Sequence, residues 1–194
     1  MQKDFMEAVY FSEHYLPFRC ASDFAELYQQ IENKPVYCQG YAILPDSITL
    51  LSEYKKYKTP LLTNQKLYIA RHSYSDYSSE NLEKFQFLLV KKFILWPEKY
   101  LLMLIDHFKN RLSEGRYLTN HNSIKIQLGE ILSHLSLVSE AIKLTNHFSM
   151  VATEVKTIIL KLHKLAGGRS FLKENIVEML CVFEIVRKIY FKKI

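Results

Sequence analysis

The apolar positions in the second half of the chain follow a helical pattern. From Asn81 onward they recur at alternating steps of three and four, as the buried face of an α-helix requires. Pro97 interrupts the first segment and predicts either one kinked helix or two helices, with Gly115 as the stop. Asn120 or Asn122 is expected to cap the next helix. The apolar faces of the second and third helices are Ile124, Leu128, Ile131, Leu135, Val138 and Ile142, and then Val151, Val155, Ile158, Leu162 and Leu165.

A fourth helical segment follows the glycine pair Gly167 and Gly168. It begins near Asn175, with Glu178 three positions later as in a capping box, and Glu184 and Lys188 stand one turn apart. The segment is apolar on nearly every side and therefore needs cover on nearly every side. Either it lies at the centre of a bundle or it also contacts another subunit.

The first part of the chain, residues 1–78, is patterned differently. Two short helices are predicted, at 5–10 and at 22–31, the second capped by Ser22. Three β-prone runs follow, and residues 73–79 read as a polar linker. We therefore predict a mainly α protein, in which a small, partly β region (1–78) precedes an up-down four-helix bundle (79–194). The β-prone runs are 36–38, 41–44 and 67–70, with turn signals at 45–46 and 63–64.

Composition and charge narrow the functional classes. The chain of 194 residues is 48% hydrophobic and 24% charged, and its five Gly and five Pro are few, which favours long helices. The net charge of +6 is spread along the chain and suits an acidic partner. Three cysteines without close spacing, no signal peptide and no apolar run of about 18 residues predict a cytoplasmic protein outside the membrane.

Sequence motifs for common chemistry are missing. The seven histidines show no metal-ligand spacing, and there is no Cys-x-x-Cys, P-loop or nucleophile elbow. Residues 54–58 interleave tyrosine and lysine, a composition that can bind nucleic acid by stacking and charge. A surface strand or loop is the favoured interpretation of this run, so the sequence predicts neither a metal nor a nucleic-acid partner.

Two segments resemble the C-terminal helical domain of the acyl-CoA dehydrogenases. Residues 111–118, Arg-Leu-Ser-Glu-Gly-Arg-Tyr-Leu, are similar to the family's Arg-x-x-Phe-Gly-x-x-Leu, with Asn122 in the place of a Gln. Residues 167–190 are similar to the family's Gly-Gly loop and the helix after it. In that family FAD lies between the bundle and a β-domain. The resemblance implies that the cofactor-binding positions are Arg111, Asn122, Gly167 and Gly168.

The departures from the family pattern concern catalysis. Many members carry the catalytic Glu after an Ile-Tyr pair, where this chain has Phe191, and phenylalanine cannot accept a proton. The family's other position for the base falls close to Phe85, with Glu83 nearby. Glu114 replaces an aromatic residue and would repel a phosphate. The family's N-terminal helical domain is missing, so the resemblance implies no catalytic residue and no FAD bound by this chain alone.

Three hypotheses for function follow. The first is a truncated acyl-CoA dehydrogenase-like protein that has lost catalysis, a pseudoenzyme that serves as a binding or structural subunit through its bundle. Its partner would be a second copy or a complete acyl-CoA dehydrogenase. The second is an acyl-thioester oxidoreductase subunit that completes a shared FAD site with a partner chain. The third is a module that binds an acyl-carrier protein through its positive charge.

Overall fold

The computed structural model describes residues 20–32, 34–48, 54–72, 79–145, 147–167 and 176–191. Helices dominate these residues, which confirms the mainly α architecture. The helices are α1 (Cys20–Gln29), α2 (Pro60–Asn64), α3 (Ser79–Lys109), α4 (Asn122–Leu144), α5 (Phe148–Ala166) and α6 (Ile176–Tyr190). The strands are β1 (Tyr41–Pro45), β2 (Lys55–Tyr57), β3 (Leu67–Arg71), β4 (Leu112–Ser113) and β5 (Arg116–Tyr117). The predicted helix at 5–10 and the predicted cap Asn175 lie outside the described residues, as does the linker predicted at 73–79 except for Ser79, which begins α3.

Helices α3, α4, α5 and α6 form the predicted up-down bundle. The Phe87 and Phe148 rings lie 5.7 Å apart, so α3 and α5 begin at the same end. Helices α3 and α6 run in opposite directions, because Phe93 contacts Phe183 while the earlier Phe85 contacts the later Tyr190. The predicted apolar faces of α4 and α5 supply the core between them. Its buried members are Ile131, Leu135, Val138, Ile142, Val151, Val155, Ile158 and Leu162.

Pro97 lies inside one continuous helix, α3, so the alternative of two helices was wrong. A proline inside a helix costs about 3 kcal/mol. Phe93, Trp96 and Tyr100 are buried beside it, and each buried aromatic contributes about 1.5–3 kcal/mol, which outweighs that cost. The helix ends at Lys109, and Gly115 is therefore not its stop.

Several predicted helix caps and one predicted ion pair also differ from the structure. The N-cap of α4 is His121 rather than Asn120 or Asn122, and its ring nitrogen Nε2 lies 3.1 Å from the Ser113 carbonyl oxygen instead of capping the helix. Ser22 lies within α1 and does not cap it. The start of α4 follows from the hairpin before it, which ends at Tyr117 and leads through a short 3-10 turn into His121. Glu184 pairs with Arg187 and Lys156 rather than Lys188, because α5 places a lysine closer.

The small sheet has the strand order β1-β3-β2, with both pairs antiparallel. The runs 41–44 and 67–70 are strands as predicted, whereas 36–38 contributes only the isolated bridge between Cys38 and Tyr41. The turn signal at 63–64 instead ends the short helix α2, which the Thr59 side chain caps. The run 54–58 includes an edge strand, β2, as the surface interpretation predicted.

The hydroxyls of Tyr28 and Tyr190 form hydrogen bonds with the backbone of Ile43 at the outer edge of β1. We call these two residues the tyrosine pair. The Tyr28 hydroxyl donates to the Ile43 carbonyl at 2.7 Å, and the Ile43 N–H donates to the Tyr190 hydroxyl at 3.0 Å. The Tyr190 hydroxyl donates in turn to the Val36 carbonyl at 3.2 Å. An edge strand otherwise leaves such groups unpaired. The pair thus joins the last helix to the first strand.

The position of α6 follows from these bonds. It packs against α3 and α5 of the bundle and also against α2 and β1 of the N-terminal region. Its buried residues are Met179, Val182, Phe183, Val186 and Tyr190. Helix α6 therefore lies between the bundle and the sheet, and a further contact with another subunit stays a prediction.

The tyrosine pair predicts a loss of stability at alkaline pH. Burial raises the pKa of Tyr28 and of Tyr190 above their ordinary value of 10.0. The folded chain therefore keeps both protons where the unfolded chain loses them, so stability is intact below pH 10 and falls above it. We expect a loss of about 1.4 kcal/mol per pH unit for each tyrosine, measured by urea unfolding between pH 8 and 11.5.

Two variants separate this effect from general alkaline denaturation. Tyr190→Phe removes one titrating group, so the free energy of unfolding should fall less steeply above pH 10, by about 1.4 kcal/mol per pH unit. Tyr117→Phe changes an exposed tyrosine and should leave the slope as in the unsubstituted chain. Equal slopes in all three proteins would show that the pair does not hold its protons.

Candidate functional site

The cofactor-binding positions implied by the resemblance lie at one end of the bundle. Helix α3 ends at Lys109, the chain forms the hairpin of β4 and β5, and α4 then begins at Asn122. Helix α5 runs in the same direction as α3 and ends at Ala166, so Gly167 lies at this end too. The structure thus brings Arg111, Asn122 and Gly167 to the same end, whereas Gly168 lies outside the described residues.

The hairpin of β4 and β5 leaves the first family-like motif, residues 111–118, mostly exposed. Arg111 and Asn122 are both exposed, and the Arg111 carbonyl accepts a hydrogen bond from the Leu118 N–H at 2.8 Å. Glu114 and Gly115 form the tip, with φ values of 52° and 74°. Such positive values suit a two-residue turn between twisted strands. The motif therefore folds as a compact exposed loop with a carboxylate at its tip.

Gly167 ends α5 with a φ of 59°, and its N–H donates to the carbonyls of His163 and Lys164. A Cβ built on it meets no atom of the described residues within 4 Å. The glycine is needed for its positive φ at the helix end. Arg111, Asn122 and Gly167 are all exposed in the described part of the chain.

The opposite end of the bundle holds the positions linked to the catalytic base. Phe191 is 5% exposed and Phe85 is fully buried, whereas Glu83 is exposed. The Phe85 ring lies 5.0 Å from that of Tyr190, whose backbone carbonyl accepts a hydrogen bond from the Gln86 amide. Helix α5, with 19 residues, separates the two ends by about 28 Å. One small-molecule site in a single chain cannot include both ends.

A line of exposed apolar side chains runs along α4, and we call Ile126, Leu137 and Leu144 the outer face of α4. They are 63%, 69% and 86% exposed. Their spacings of 11 and 7 residues are close to whole numbers of helical turns, so they share one side of the helix. Leu135 and Ile142 face the core from the opposite side. Single exposed apolar residues are ordinary, and it is their position on one side of the helix that makes this face a candidate interaction surface.

Clusters of metal-ligating side chains and long apolar helices are two further features that bear on function. Among the described residues, no three His, Cys, Asp or Glu side chains come together as a metal ion would require. None of the helices in the described part of the chain is both long and apolar enough to cross a membrane.

Of the comparisons with known proteins, only the comparison with solved structures gives matches. No protein-family model matches the sequence, and no curated protein matches it. Butyryl-CoA dehydrogenase from Megasphaera elsdenii matches at 10% identity and a TM-score of 0.57, over 80% of this chain and 46% of its own. Acyl-CoA dehydrogenase from Geobacillus kaustophilus matches at 12% identity and a TM-score of 0.54, over 77% of this chain and 45% of its own. An FAD-dependent dehydrogenase matches at 9% identity and a TM-score of 0.53, over 75% of this chain and 46% of its own.

The chain has an acyl-CoA dehydrogenase-like fold. It spans about half the length of these solved structures. A span of 80% of 194 residues is about 155, and residues 79–194 number only 116. The matched span in the butyryl-CoA dehydrogenase comparison therefore extends into the region that contains the small sheet.

Sequence reasoning missed two features of this acyl-CoA dehydrogenase-like fold. The tyrosine pair has no sequence signal, because Tyr28 and Tyr190 are 162 positions apart. The outer face of α4 did have a signal, since Ile126, Leu137 and Leu144 are apolar at positions off the predicted core stripe. Exposed apolar positions on a helix whose other side is already buried are the pattern that could have identified it.

Proposed function

We propose that this acyl-CoA dehydrogenase-like chain is a non-catalytic binding subunit that associates with a second copy of itself through the outer face of α4. The observation that carries the loss of catalysis is Phe191. It stands where the resemblance places the catalytic carboxylate, and it is 5% exposed. A general base must lie within hydrogen-bond reach of the proton it removes, and an apolar ring has no such atom.

Neither Tyr190 nor Phe85 can serve as the missing base. The Tyr190 hydroxyl is bonded to backbone groups of Ile43 and Val36, and burial raises its pKa, so it keeps its proton. Phe85, the alternative position, is a fully buried ring. Both family positions for a base therefore serve as packing positions in this chain.

The outer face of α4 fits a second copy of the same helix. In an antiparallel pairing centred on Leu137, the two Leu137 side chains meet, and Leu144 of each copy lies opposite Glu130 of the other, with Gly129 next to it. A Cβ at Gly129 meets nothing within 4 Å, so that position is open to a neighbouring side chain. A two-fold contact needs such self-complementarity.

Native mass and an absorbance spectrum test the proposal together. We expect a mass of twice the 23.0 kDa of one chain by light scattering, with no flavin absorbance. Leu137→Glu should give a monomer, because it introduces a charge at the centre of the contact. Leu132→Glu is the matched control, since Leu132 is exposed on α4 but off the line, and it should leave the dimer intact.

Four results would contradict the proposal. A monomeric unsubstituted chain would remove the self-association, and co-purification with a complete acyl-CoA dehydrogenase would assign the face to that partner. Stoichiometric flavin in the purified chain would overturn the non-catalytic assignment. Acyl-CoA oxidation that needs both this chain and a partner, and is lost with Arg111→Ala, would favour the shared FAD site instead.

A further inference from the structure

The small sheet places aromatic and basic side chains together at the exposed end of one face. Tyr41 pairs with Arg71, and Arg71 pairs with Lys55, so the three residues form a row across β1, β3 and β2. Directly opposed residues point to the same side of an antiparallel sheet. Tyr57, two positions after Lys55, lies on this side as well. We call these four residues the sheet row.

The side chains of the sheet row contact one another. The Arg71 guanidinium carbon lies 5.6 Å from the Tyr41 ring centre, and the Lys55 Nζ lies 5.3 Å from that of Tyr57. Arg71 also donates a hydrogen bond to the Tyr57 hydroxyl, which lowers the pKa of Tyr57. Cation and ring contacts of this kind hold both partners in place while leaving ring surface exposed.

Charge distinguishes this face from the other side of the sheet. Lys56 points to the other side, where its Nζ lies 3.2 Å from a carboxylate oxygen of Asp46 and 3.6 Å from the centre of the Tyr68 ring. Within the described ranges, neither Arg71 nor Lys55 forms an ion pair with a carboxylate. The cations of the sheet row are therefore available to an anionic ligand.

The spacing of the rings indicates the size of that ligand. Tyr41 and Tyr57 are two strands and two residues apart, which corresponds to about 12 Å between their positions. One base cannot stack on both rings, whereas two bases joined by a phosphate can, with Arg71 between them. An acidic peptide would use the cations but not the rings.

We propose that the sheet row binds single-stranded nucleic acid, with one base on Tyr41, the next on Tyr57 and the phosphate between them at Arg71. In the sequence alone the run 54–58 indicated only a surface strand. The pairing with β3 and β1 adds Arg71 and Tyr41, which are distant in sequence, to the same face. The combination of stacking rings and cations that form no ion pair with a carboxylate of the described residues is suited to sequence-independent single-strand binding.

Fluorescence anisotropy with labelled ten-nucleotide oligo-dT and oligo-U tests this proposal. We expect saturable binding by the full chain in 50 mM salt. Tyr41→Ala and Tyr57→Ala should each weaken it by about 5- to 100-fold, as the loss of one stacked base does. Arg71→Ala should weaken binding about tenfold. It should also reduce the slope of log affinity against log salt concentration by about the value of one phosphate contact.

Hairpin β4–β5 offers matched controls, because Arg116 and Tyr117 are an exposed Arg and Tyr distant from the sheet row in sequence. Arg116→Ala and Tyr117→Ala should bind as the unsubstituted chain does. Tyr41→Phe keeps the ring and should retain binding, which covers the case in which Tyr41→Ala unfolds the sheet. No saturable binding, an equal loss in the controls, or full binding by both tyrosine-to-alanine variants would overturn the proposal.

Discussion

Replacing Tyr190 with Ala is expected to lower the free energy of unfolding by about 3–5 kcal/mol. The ring is 1% exposed and contacts Phe85, so its removal leaves a cavity between α6 and α3. The hydroxyl also accepts the Ile43 N–H and donates to the Val36 carbonyl, which lose their partner. Small domains have about 5–15 kcal/mol of stability in total, so the variant should unfold at much lower urea concentration.

Tyr190→Phe separates the hydroxyl from the ring. It keeps the packing but leaves the buried Ile43 N–H without its acceptor, which should cost about 1–3 kcal/mol. Tyr117→Phe removes a hydroxyl from an exposed ring and should change stability by less than about 0.5 kcal/mol. If Tyr190→Phe is as stable as the unsubstituted chain in urea titrations, the tyrosine pair does not hold the edge of β1.

Phe93→Ala is the second substitution with a large expected effect, again about 3–5 kcal/mol. Phe93 is fully buried, and its ring lies 5.0 Å from Trp96 and 4.7 Å from Phe183. The edge-to-face contact with Phe183 joins α3 to α6, so its loss affects both helices. Circular dichroism during thermal and urea unfolding measures the change.

Leu95→Ala is the control for Phe93→Ala. Leu95 lies two positions along α3 and is 42% exposed, so the same helix receives the same new residue without a core cavity. Its cost should stay below about 1 kcal/mol. Equal losses in the two variants would mean that Phe93 does not occupy the core between α3 and α6.

The bundle could be predicted because its signal is local. Ile131, Leu135 and Val138 recur within a few helical turns, and an apolar stripe of that kind must be buried whatever its neighbours are. The end of α3 could not be predicted in the same way. Leu112 continues the apolar spacing, yet it lies exposed in β4, because the turn at Glu114 and Gly115 folds that segment back as a hairpin.

The candidate site was predictable only as far as the resemblance reached. It pointed to Arg111 and Asn122 together, and the chain path does place both at one end of the bundle. It gave no indication that Tyr41, Arg71 and Lys55 form one row, because strand register depends on pairing between distant segments. The tyrosine pair depends on contacts across 162 positions, which no local pattern encodes.

The bond between Tyr190 and Ile43 has a consequence for synthesis on the ribosome. A nascent chain that has emerged only as far as α5 can pair β1 with β3, but it lacks the hydroxyl that the Ile43 N–H needs. Until α6 leaves the exit tunnel, the Ile43 N–H at that edge lacks its acceptor, although the Tyr28 hydroxyl already covers the Ile43 carbonyl. Emergence of α6 therefore completes the cover of this edge and lowers its tendency to pair with another chain.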